Sequence, residues 1–168
     1  MEKKKLVAVG GTFDKLHKGH KKLLEFSFEI GEKVVIGLSS DELVKKLQKP
    51  HEVASYEERK RNLILFLKEK GFINRFELIP LKDRYGITLI HPDLEALVAG
   101  EENKIIAEKI NEERVKKGLK PLEIFYVKLV LAEDNKPISS TRIRRGEINE
   151  DGKPTQKPDQ PQNNDNFF

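Results

Sequence analysis

The chain has 168 residues, 37% of them apolar and 36% charged, with a formal net charge of +4, and this length suits one α/β domain. It contains no cysteine, which excludes disulfides, zinc ribbons, iron–sulfur clusters and thiolate nucleophiles. The small charge excess argues against general nucleic-acid binding, and no apolar run approaches the roughly 20 residues of a membrane span. The N-terminus leads straight into a predicted strand rather than a signal peptide. We therefore expect a soluble, cytoplasmic protein. Its high content of Lys and Glu and its low content of Asn and Gln are common in proteins that work at high temperature.

The last 18 residues differ in composition from the rest of the chain. They hold six Asn and Gln residues, against seven in the first 150, and almost no apolar side chain before Phe167 and Phe168. Such a segment cannot bury enough apolar surface to offset the entropy lost on ordering. The sequence therefore predicts one folded domain over residues 1–150 and a disordered tail over residues 151–168.

Within the predicted domain, short apolar runs alternate with helical patterns. The apolar runs predict strands at Leu6–Val9, Val34–Ile36, Phe76–Leu81, Leu94–Ala99 and Ile124–Leu131. Helical spacing and capping signals predict helices from His20 to Gly31, from Ser55 to Gly71, over about 101–117, and over Ser139–Arg145. This alternation predicts an α/β fold with a Rossmann-like, open, parallel, five-stranded sheet and helices on both faces. Ligands bind such sheets outside the carboxyl ends of the strands.

The first strand ends in a glycine-rich turn that opens the first helix. Gly10 and Gly11 allow a tight turn and a close approach to a ligand, and the helix start offers unpaired N–H groups to phosphate. Thr12 adds a hydroxyl, while His17 and His20 share one side of the first helical turn. The pattern is neither a dinucleotide fingerprint nor a P-loop, and two histidines do not complete a closed metal site. A plain turn is the simpler alternative for Gly-Gly alone.

A second polar turn lies near the end of the predicted domain. Ser139, Ser140 and Thr141 stand at a helix start, and three arginines follow within the next four positions. Alone, this pattern is also that of an ordinary N-cap with a solvated basic face. Together, the two turns contain histidines, hydroxyls and arginines but no evident nucleophile. That combination favours polyphosphate chemistry performed by positioning and charge stabilisation.

The two turns resemble the signatures of the nucleotidyltransferase superfamily. His17-Lys-Gly-His20, preceded by Gly11-Thr-Phe-Asp14, resembles its H-x-G-H motif, and Ile138-Ser-Ser-Thr141, about 120 residues later, resembles its closing serine motif. The block from Ile79 to Glu102 looks like that of the phosphopantetheine adenylyltransferases of the archaeal and eukaryotic type. The resemblance covers residues 5–148. It implies transfer of the adenylyl group of ATP to 4′-phosphopantetheine, giving dephospho-coenzyme A and pyrophosphate.

The resemblance also implies roles for individual residues. His20 is expected to stabilise the transition state at the α-phosphate, and Thr12 to bridge the two substrates. ATP is expected to contact Gly11, Thr12, Phe13, His17, Gly19, His20, Glu102, Ser139, Ser140, Thr141 and Arg142. A lysine after the second strand is expected to hold the acceptor phosphate; the candidates are Lys45, Lys46 and Lys49, and Lys46 is favoured. Mg²⁺ is expected to arrive with the nucleotide, because the sequence contains no dedicated acidic cluster.

Three alternatives stay open at this point. A cytidylyltransferase, or a mononucleotide or flavin adenylyltransferase, would share the H-x-G-H motif, although the cytidylyltransferases carry Arg-Thr-x-Gly where this chain has Glu133–Pro137. A non-catalytic nucleotide-binding module would lack a residue of the reacting centre. A nucleic-acid-binding domain is suggested by Lys3–Lys5 and Arg142–Arg145, but the low net charge and the lack of a stacking-aromatic pattern argue against it. The sequence does not define an oligomeric state.

Overall fold

The computed structural model describes residues 2–47, 52–89 and 91–155. The strands of this part of the chain are β1 (Lys4–Gly11), β2 (Gly31–Ser39), β3 (Phe76–Leu81), β4 (Ala96–Gly100) and β5 (Glu123–Val127). The α-helices are α1 (Lys18–Ile30), α2 (Asp41–Leu47), α3 (Tyr56–Glu69), α4 (Lys104–Lys116) and α5 (Ser140–Arg144), with 3₁₀ turns at Gly86–Leu89 and Glu101–Asn103. A strand is therefore present in each of the five predicted regions.

The five strands form one parallel sheet in the order β3-β2-β1-β4-β5. The central strand β1 lies between β2 and β4 and carries the buried run Val7–Val9. From β1 the chain moves outward through β2 to β3, and it then crosses to the other side of β1 to form β4 and β5. The order of the strands reverses between β1 and β4, so a ligand site is expected at the carboxyl end of β1. The predicted α/β architecture is confirmed.

Apolar layers cover both faces of the sheet. On one face, Val7 and Val9 pack with Leu24 and Phe28 of α1 and with Leu63 of α3. On the other face, side chains of the sheet pack against α4 in a cluster that includes Ala8, Val35, Leu97, Ala107 and Ile110. The predicted placement of helices on both faces is therefore confirmed. Within the described ranges, no helix combines the length and the apolar character that a membrane crossing needs.

Among the predicted elements whose bounds differ from those in the structure, strand β5 and the helix predicted from about residue 101 differ for a structural reason. Strand β5 ends at Val127 rather than at residue 131, because the chain then leaves the sheet. The N–H of Leu129 donates to the carboxylate of Glu101 at 2.8 Å, and Leu131 forms an isolated antiparallel bridge with Pro137. The helix predicted from about residue 101 starts as a 3₁₀ turn and becomes α-helical only at Lys104.

Helix α2 has no counterpart in the sequence prediction. Ser40 caps its start, since the Ser40 hydroxyl accepts from the N–H of Leu43 at 3.1 Å. Acidic residues stand in its first turn and Lys45 and Lys46 in its last, an order that suits the helix dipole. The seven-residue helix buries only Leu43, so it has too little apolar periodicity to be recognised in the sequence.

Residues 151–155 are hydrogen-bonded to the domain in the structure, beyond the predicted boundary at residue 150. Gly152 is buried, and its carbonyl accepts from the N–H of Glu133 at 2.9 Å. Pro154 forms an antiparallel bridge with Ile148. These residues obtain their structure from backbone hydrogen bonds and from neighbours earlier in the chain, which their composition does not reveal. The remainder of the predicted tail, residues 156–168, lies outside the described residues.

Candidate active site

A cleft of about 720 Å³ opens at the carboxyl ends of the strands. All five strands send residues into its lining: Gly11 and Thr12 from β1, Ser39 from β2, Arg84 and Tyr85 after β3, Glu102 and Asn103 after β4, and Lys128 and Leu129 after β5. His17, Gly19 and His20 line the same cleft, as do Ser139, Ser140 and Thr141. The two turns singled out in the sequence therefore meet in one site.

His17 and His20 form the cap of helix α1. The Nδ1 atom of His17 accepts from the backbone N–H groups of Gly19 at 3.0 Å and of His20 at 3.3 Å. In return, the N–H of His17 donates to Nδ1 of His20 at 3.2 Å, which completes a reciprocal capping box. The two rings stack with 3.6 Å between their centroids. A Cβ atom at residue 19 would lie 2.9 Å from the His17 ring, so this cap requires Gly19.

The capping bonds determine which nitrogen of each histidine can donate. Since Nδ1 accepts in both rings, the neutral form of each carries its proton on Nε2. The His17 side chain is only 7% exposed. This burial lowers the pKa of His17 to about 4, against a smaller opposing effect of the Asp14 carboxylate. His17 is therefore uncharged at neutral pH.

Phe13 and Asp14 contact the groups on either side of the histidine turn. Phe13 has a φ of 50°, is buried and packs edge-on against the His20 ring at 5.3 Å between centroids. Asp14 is 3% exposed, and its carboxylate accepts from Nε and Nη2 of Arg144 at 2.8 and 2.9 Å. The Asp14 carbonyl accepts from the Ser140 hydroxyl at 2.5 Å. Residue 14 thus links the histidine turn to the segment that follows β5.

Arg59 of helix α3 holds the ends of β1 and β2 together. It is 2% exposed, and its guanidinium donates to the carbonyls of Thr12 at 3.0 Å, Ser39 at 2.8 Å and Ala54 at 2.8 Å. Its fourth contact is the Asp41 carboxylate at 3.2 Å. The hydroxyls of Thr12 and Ser39 lie 3.3 Å apart. In the sequence, Arg59 after Tyr56 resembles a recurrent pattern of the superfamily, but an exposed helical arginine explains it equally well.

The serine turn, Ser139–Thr141, lines the cleft at the start of α5. Ser139 is the N-cap of α5, and its hydroxyl accepts from the N–H of Arg142 at 3.2 Å. Ser140 is fixed by its bond to Asp14. All three hydroxyl residues line the cleft as predicted.

Arg142 is not among the residues that line the cleft. Its guanidinium pairs with the carboxylates of Asp134 and Glu147, the latter at 2.8 Å, and donates to the carbonyl of Pro137 at 3.1 Å. These bonds raise the pKa of Arg142 and lower that of Asp134. The structure therefore does not bring Arg142 to the predicted nucleotide site, because local acidic groups already hold its side chain.

The structure also does not bring the described candidate lysines into the cleft. Lys45 and Lys46 are exposed on α2 and are absent from the lining, and Lys49 lies outside the described residues. Over the part of the cleft that the structure describes, the lysine and arginine residues in the lining are Arg84 and Lys128. Nothing in the sequence marks these two among the 32 lysines and arginines; only their positions after β3 and β5 in the assembled sheet do.

Glu102 lines the cleft from the 3₁₀ turn after β4. Its carboxylate lies beside Gly100, in the space that a side chain at position 100 would need. The glycine thus leaves room for the acid. Among the residues described, no three or more His, Asp or Glu side chains are grouped as metal ligands.

Comparison with known proteins identifies the family. Residues 8–146 match the cytidylyltransferase-like family. The chain is 49% identical to the phosphopantetheine adenylyltransferase of Methanosarcina mazei over 150 residues, 88% of this chain and 95% of that protein. It is 45% identical to that of Methanopyrus kandleri over 144 residues, 86% of this chain and 90% of that protein. A solved structure of a protein with unknown function from Archaeoglobus fulgidus matches with a TM-score of 0.65 and 33% identity, covering 76% of this chain and 89% of that one. The chain belongs to the cytidylyltransferase-like family and, within it, to the phosphopantetheine adenylyltransferases.

Proposed function

We propose that this protein transfers the adenylyl group of ATP to 4′-phosphopantetheine, giving dephospho-coenzyme A and pyrophosphate. The observation that carries this proposal is the meeting of the histidine turn and the serine turn in one cleft, joined by the 2.5 Å bond from Ser140 to the Asp14 carbonyl. The family assignment supports the same reaction. We also propose that the enzyme acts in the cytoplasm.

This reaction needs no nucleophile from the protein. A phosphate oxygen of the acceptor, already anionic at neutral pH, attacks the α-phosphorus of ATP, and the bond to pyrophosphate breaks in line with the attack. Negative charge grows on the non-bridging oxygens of the α-phosphate during this step. The protein has to align the two phosphates and place donors at those oxygens.

His20 is the residue we assign to the α-phosphate. Its Nδ1 is held by the N–H of His17, so the ring offers Nε2–H as the donor. His17 positions the His20 ring through the capping bonds and the stacked contact at 3.6 Å. The Thr12 hydroxyl, 3.3 Å from that of Ser39, lies where the two substrates meet.

The arm of the cleft along β4 and β5 is the one we assign to ATP. Ser139–Thr141 line this arm and supply hydroxyls for the β- and γ-phosphates, with Lys128 adding positive charge. Glu102 lies after β4 and faces the nucleoside. Mg²⁺ belongs to the substrate as MgATP and neutralises charge on the departing pyrophosphate. Asp14 is committed to Arg144, which leaves Glu102 as the carboxylate available to the nucleotide in this arm.

The arm along β2 and β3 is the one we assign to 4′-phosphopantetheine. Ser39 and Arg84 line it, together with the apolar side chains of Leu43, Leu47 and Leu81. The apolar side chains suit the pantetheine chain, and Arg84 suits its phosphate. Arg84 thereby takes the part that the sequence assigns to Lys46.

The direct test is release of pyrophosphate from MgATP with and without 4′-phosphopantetheine, with mass-spectrometric detection of dephospho-coenzyme A. We expect release to depend on the acceptor and on Mg²⁺, and to be far slower when CTP replaces ATP. Equal turnover with CTP, or release that does not need 4′-phosphopantetheine, would contradict the proposal.

A further inference from the structure

The segment Gly146–Thr155, here called the clasp, joins both turns of the site. The carbonyl of Glu150 in the clasp accepts from the N–H of Lys18, the first residue of α1, at 2.9 Å. Two residues later, the carbonyl of Gly152 accepts from the N–H of Glu133 at 2.9 Å. Glu133 belongs to the hairpin that leads into the serine turn. The clasp therefore connects the helix start that carries the histidines with the chain that carries the serines.

A small apolar cluster attaches the clasp to the serine turn. Ile148 of the clasp is 2% exposed, and it packs with Ala132 and with Ile138, the residue before the serine turn. This cluster is separate from the two layers that cover the sheet. Because β5 ends at Val127, the serine turn lies outside the sheet. Its position is set by this cluster, by the Leu131–Pro137 bridge that precedes it and by the bond from Ser140 to Asp14.

Gly152 of the clasp lies against Ile138 and Ala132 of that cluster. Its φ is +83°, and a Cβ atom there would lie 2.8 Å from Cδ1 of Ile138 and 2.9 Å from Cα of Ala132. A side chain is therefore excluded by the backbone conformation and by the available space. The turn before it is fixed by Asn149, whose Oδ1 accepts from the N–H groups of Asp151 and Lys153 at 2.9 Å each.

We infer that Gly152 is a positioning residue for the triphosphate of ATP, because it sets the place of Ser139–Thr141 relative to His17 and His20. A side chain at position 152 must displace Ile138 or Ala132, and the serine turn follows Ile138 directly in the chain. Ser39 and Arg84 lie on the β2 and β3 side of the cleft, away from this contact. The inference rests on the proposed function, since it takes the serine turn as the site of the ATP phosphates.

The test compares Gly152→Ala with Gly118→Ala in the full chain. Gly118 ends helix α4 with a φ of +79°, and a Cβ atom there meets nothing within 4 Å. The control thus carries the same backbone strain without the contact at the clasp, and both variants should lose a few degrees of melting temperature. We expect the Kd of ATP, measured by calorimetry, to rise about tenfold in Gly152→Ala, as for the loss of one or two phosphate hydrogen bonds, and to stay within about twofold of wild type in Gly118→Ala. The KM for 4′-phosphopantetheine should stay unchanged in both.

Other results would overturn the inference, the proposed function or both. If Gly152→Ala melts earlier but binds ATP as well as Gly118→Ala does, Gly152 has only a structural role and the inference is overturned. If Gly152→Ala does not fold, Asn149→Ala removes two hydrogen bonds of the same turn and should also weaken ATP binding; unchanged binding overturns the inference. A wild-type chain that binds ATP but does not use 4′-phosphopantetheine disproves the proposed function alone, and the calorimetric comparison still tests Gly152. A wild-type chain that binds no ATP overturns both.

Discussion

The spacing of the two histidines follows from the geometry of a helix start. His17 stands at the N-cap and His20 three residues later, the positions of the two side chains in a capping box. Ser or Thr and Glu usually occupy these positions, and both of their side chains are consumed by the cap. An imidazole has two nitrogens, so it can cap through Nδ1 and still direct Nε2 to a ligand. The H-x-G-H pattern can therefore serve the fold and the phosphate with the same side chains.

Replacing His20 with Ala should remove a donor that acts mainly in the transition state. We expect kcat to fall by about 10²-fold or more, with a much smaller change in the KM for ATP. His91→Ala is the matched control, because His91 does not line the cleft. Steady-state pyrophosphate release measures both effects. A His20→Ala enzyme that keeps kcat within about threefold of wild type would refute the role assigned to His20.

The protonation of His17 should make the stability of the protein sensitive to mild acid. Its pKa is about 4 in the folded protein, against 6.5 for an exposed histidine, so the unfolded chain takes up the proton first as the pH falls. The contribution of uncharged His17 to the free energy of unfolding is therefore fully present above pH 6.5 and is lost progressively between pH 6.5 and 4. By pH 5 we expect a loss of about 2 kcal/mol in the free energy of unfolding.

The variant His17→Asn isolates this effect in urea denaturation at pH 7.5 and pH 5. Asn can still accept from the N–H groups of the helix start, but it does not titrate. The loss between the two pH values should therefore be about 2 kcal/mol larger in wild type than in the variant, with the contributions of carboxylates cancelling. An equal loss in both proteins would mean that folding does not lower the pKa of His17.

Arg84 and Lys46 offer a direct comparison of two candidate cations for the acceptor phosphate. Arg84 lines the cleft and Lys46 does not. Arg84→Ala should raise the KM for 4′-phosphopantetheine about tenfold or more, the usual effect of losing a charge-assisted bond to phosphate. Lys46→Ala should leave that KM within about twofold. The reverse result would return the role to Lys46.

At the scale of elements, the sequence predicts the strands and helices that local apolar patterns determine. The strands and the larger helices are placed by apolar runs and by glycines that end them, as at Gly31 and Gly71, and these predictions are confirmed. Helix α2 buries only Leu43 and therefore leaves little apolar periodicity to recognise. The end of β5 and the structure of residues 151–155 depend on contacts with residues outside those segments, namely Glu101 and Glu133. No local pattern encodes those contacts, and the same holds for the buried state of Arg59.

Helix α3 contributes to the site through Arg59 alone, and this can be tested by a conservative change. Lys cannot reach the carbonyls of Thr12, Ser39 and Ala54 at once, because it lacks the planar, forked guanidinium. Arg59→Lys should lower the free energy of unfolding by about 3 kcal/mol, since it leaves buried carbonyls unpaired. Arg61→Lys, an exposed change on the same helix, should cost less than about 0.5 kcal/mol. Similar urea midpoints for the two variants would show that the bonds of Arg59 contribute little.

At the scale of the whole molecule, the two arms proposed for the cleft lie on opposite sides of β1, where the order of the strands reverses. The product dephospho-coenzyme A carries the adenylyl group and the pantetheine phosphate in one molecule, so it should occupy both arms at once. In equilibrium titrations it should weaken the apparent binding of ATP and of 4′-phosphopantetheine alike, and it should raise the melting temperature more than either substrate at the same concentration. ADP is the control, because it fits only the arm along β4 and β5 and should displace ATP but not 4′-phosphopantetheine. If dephospho-coenzyme A displaced only one substrate, the two arms would not form one continuous site and the division of the cleft proposed for this enzyme would be wrong.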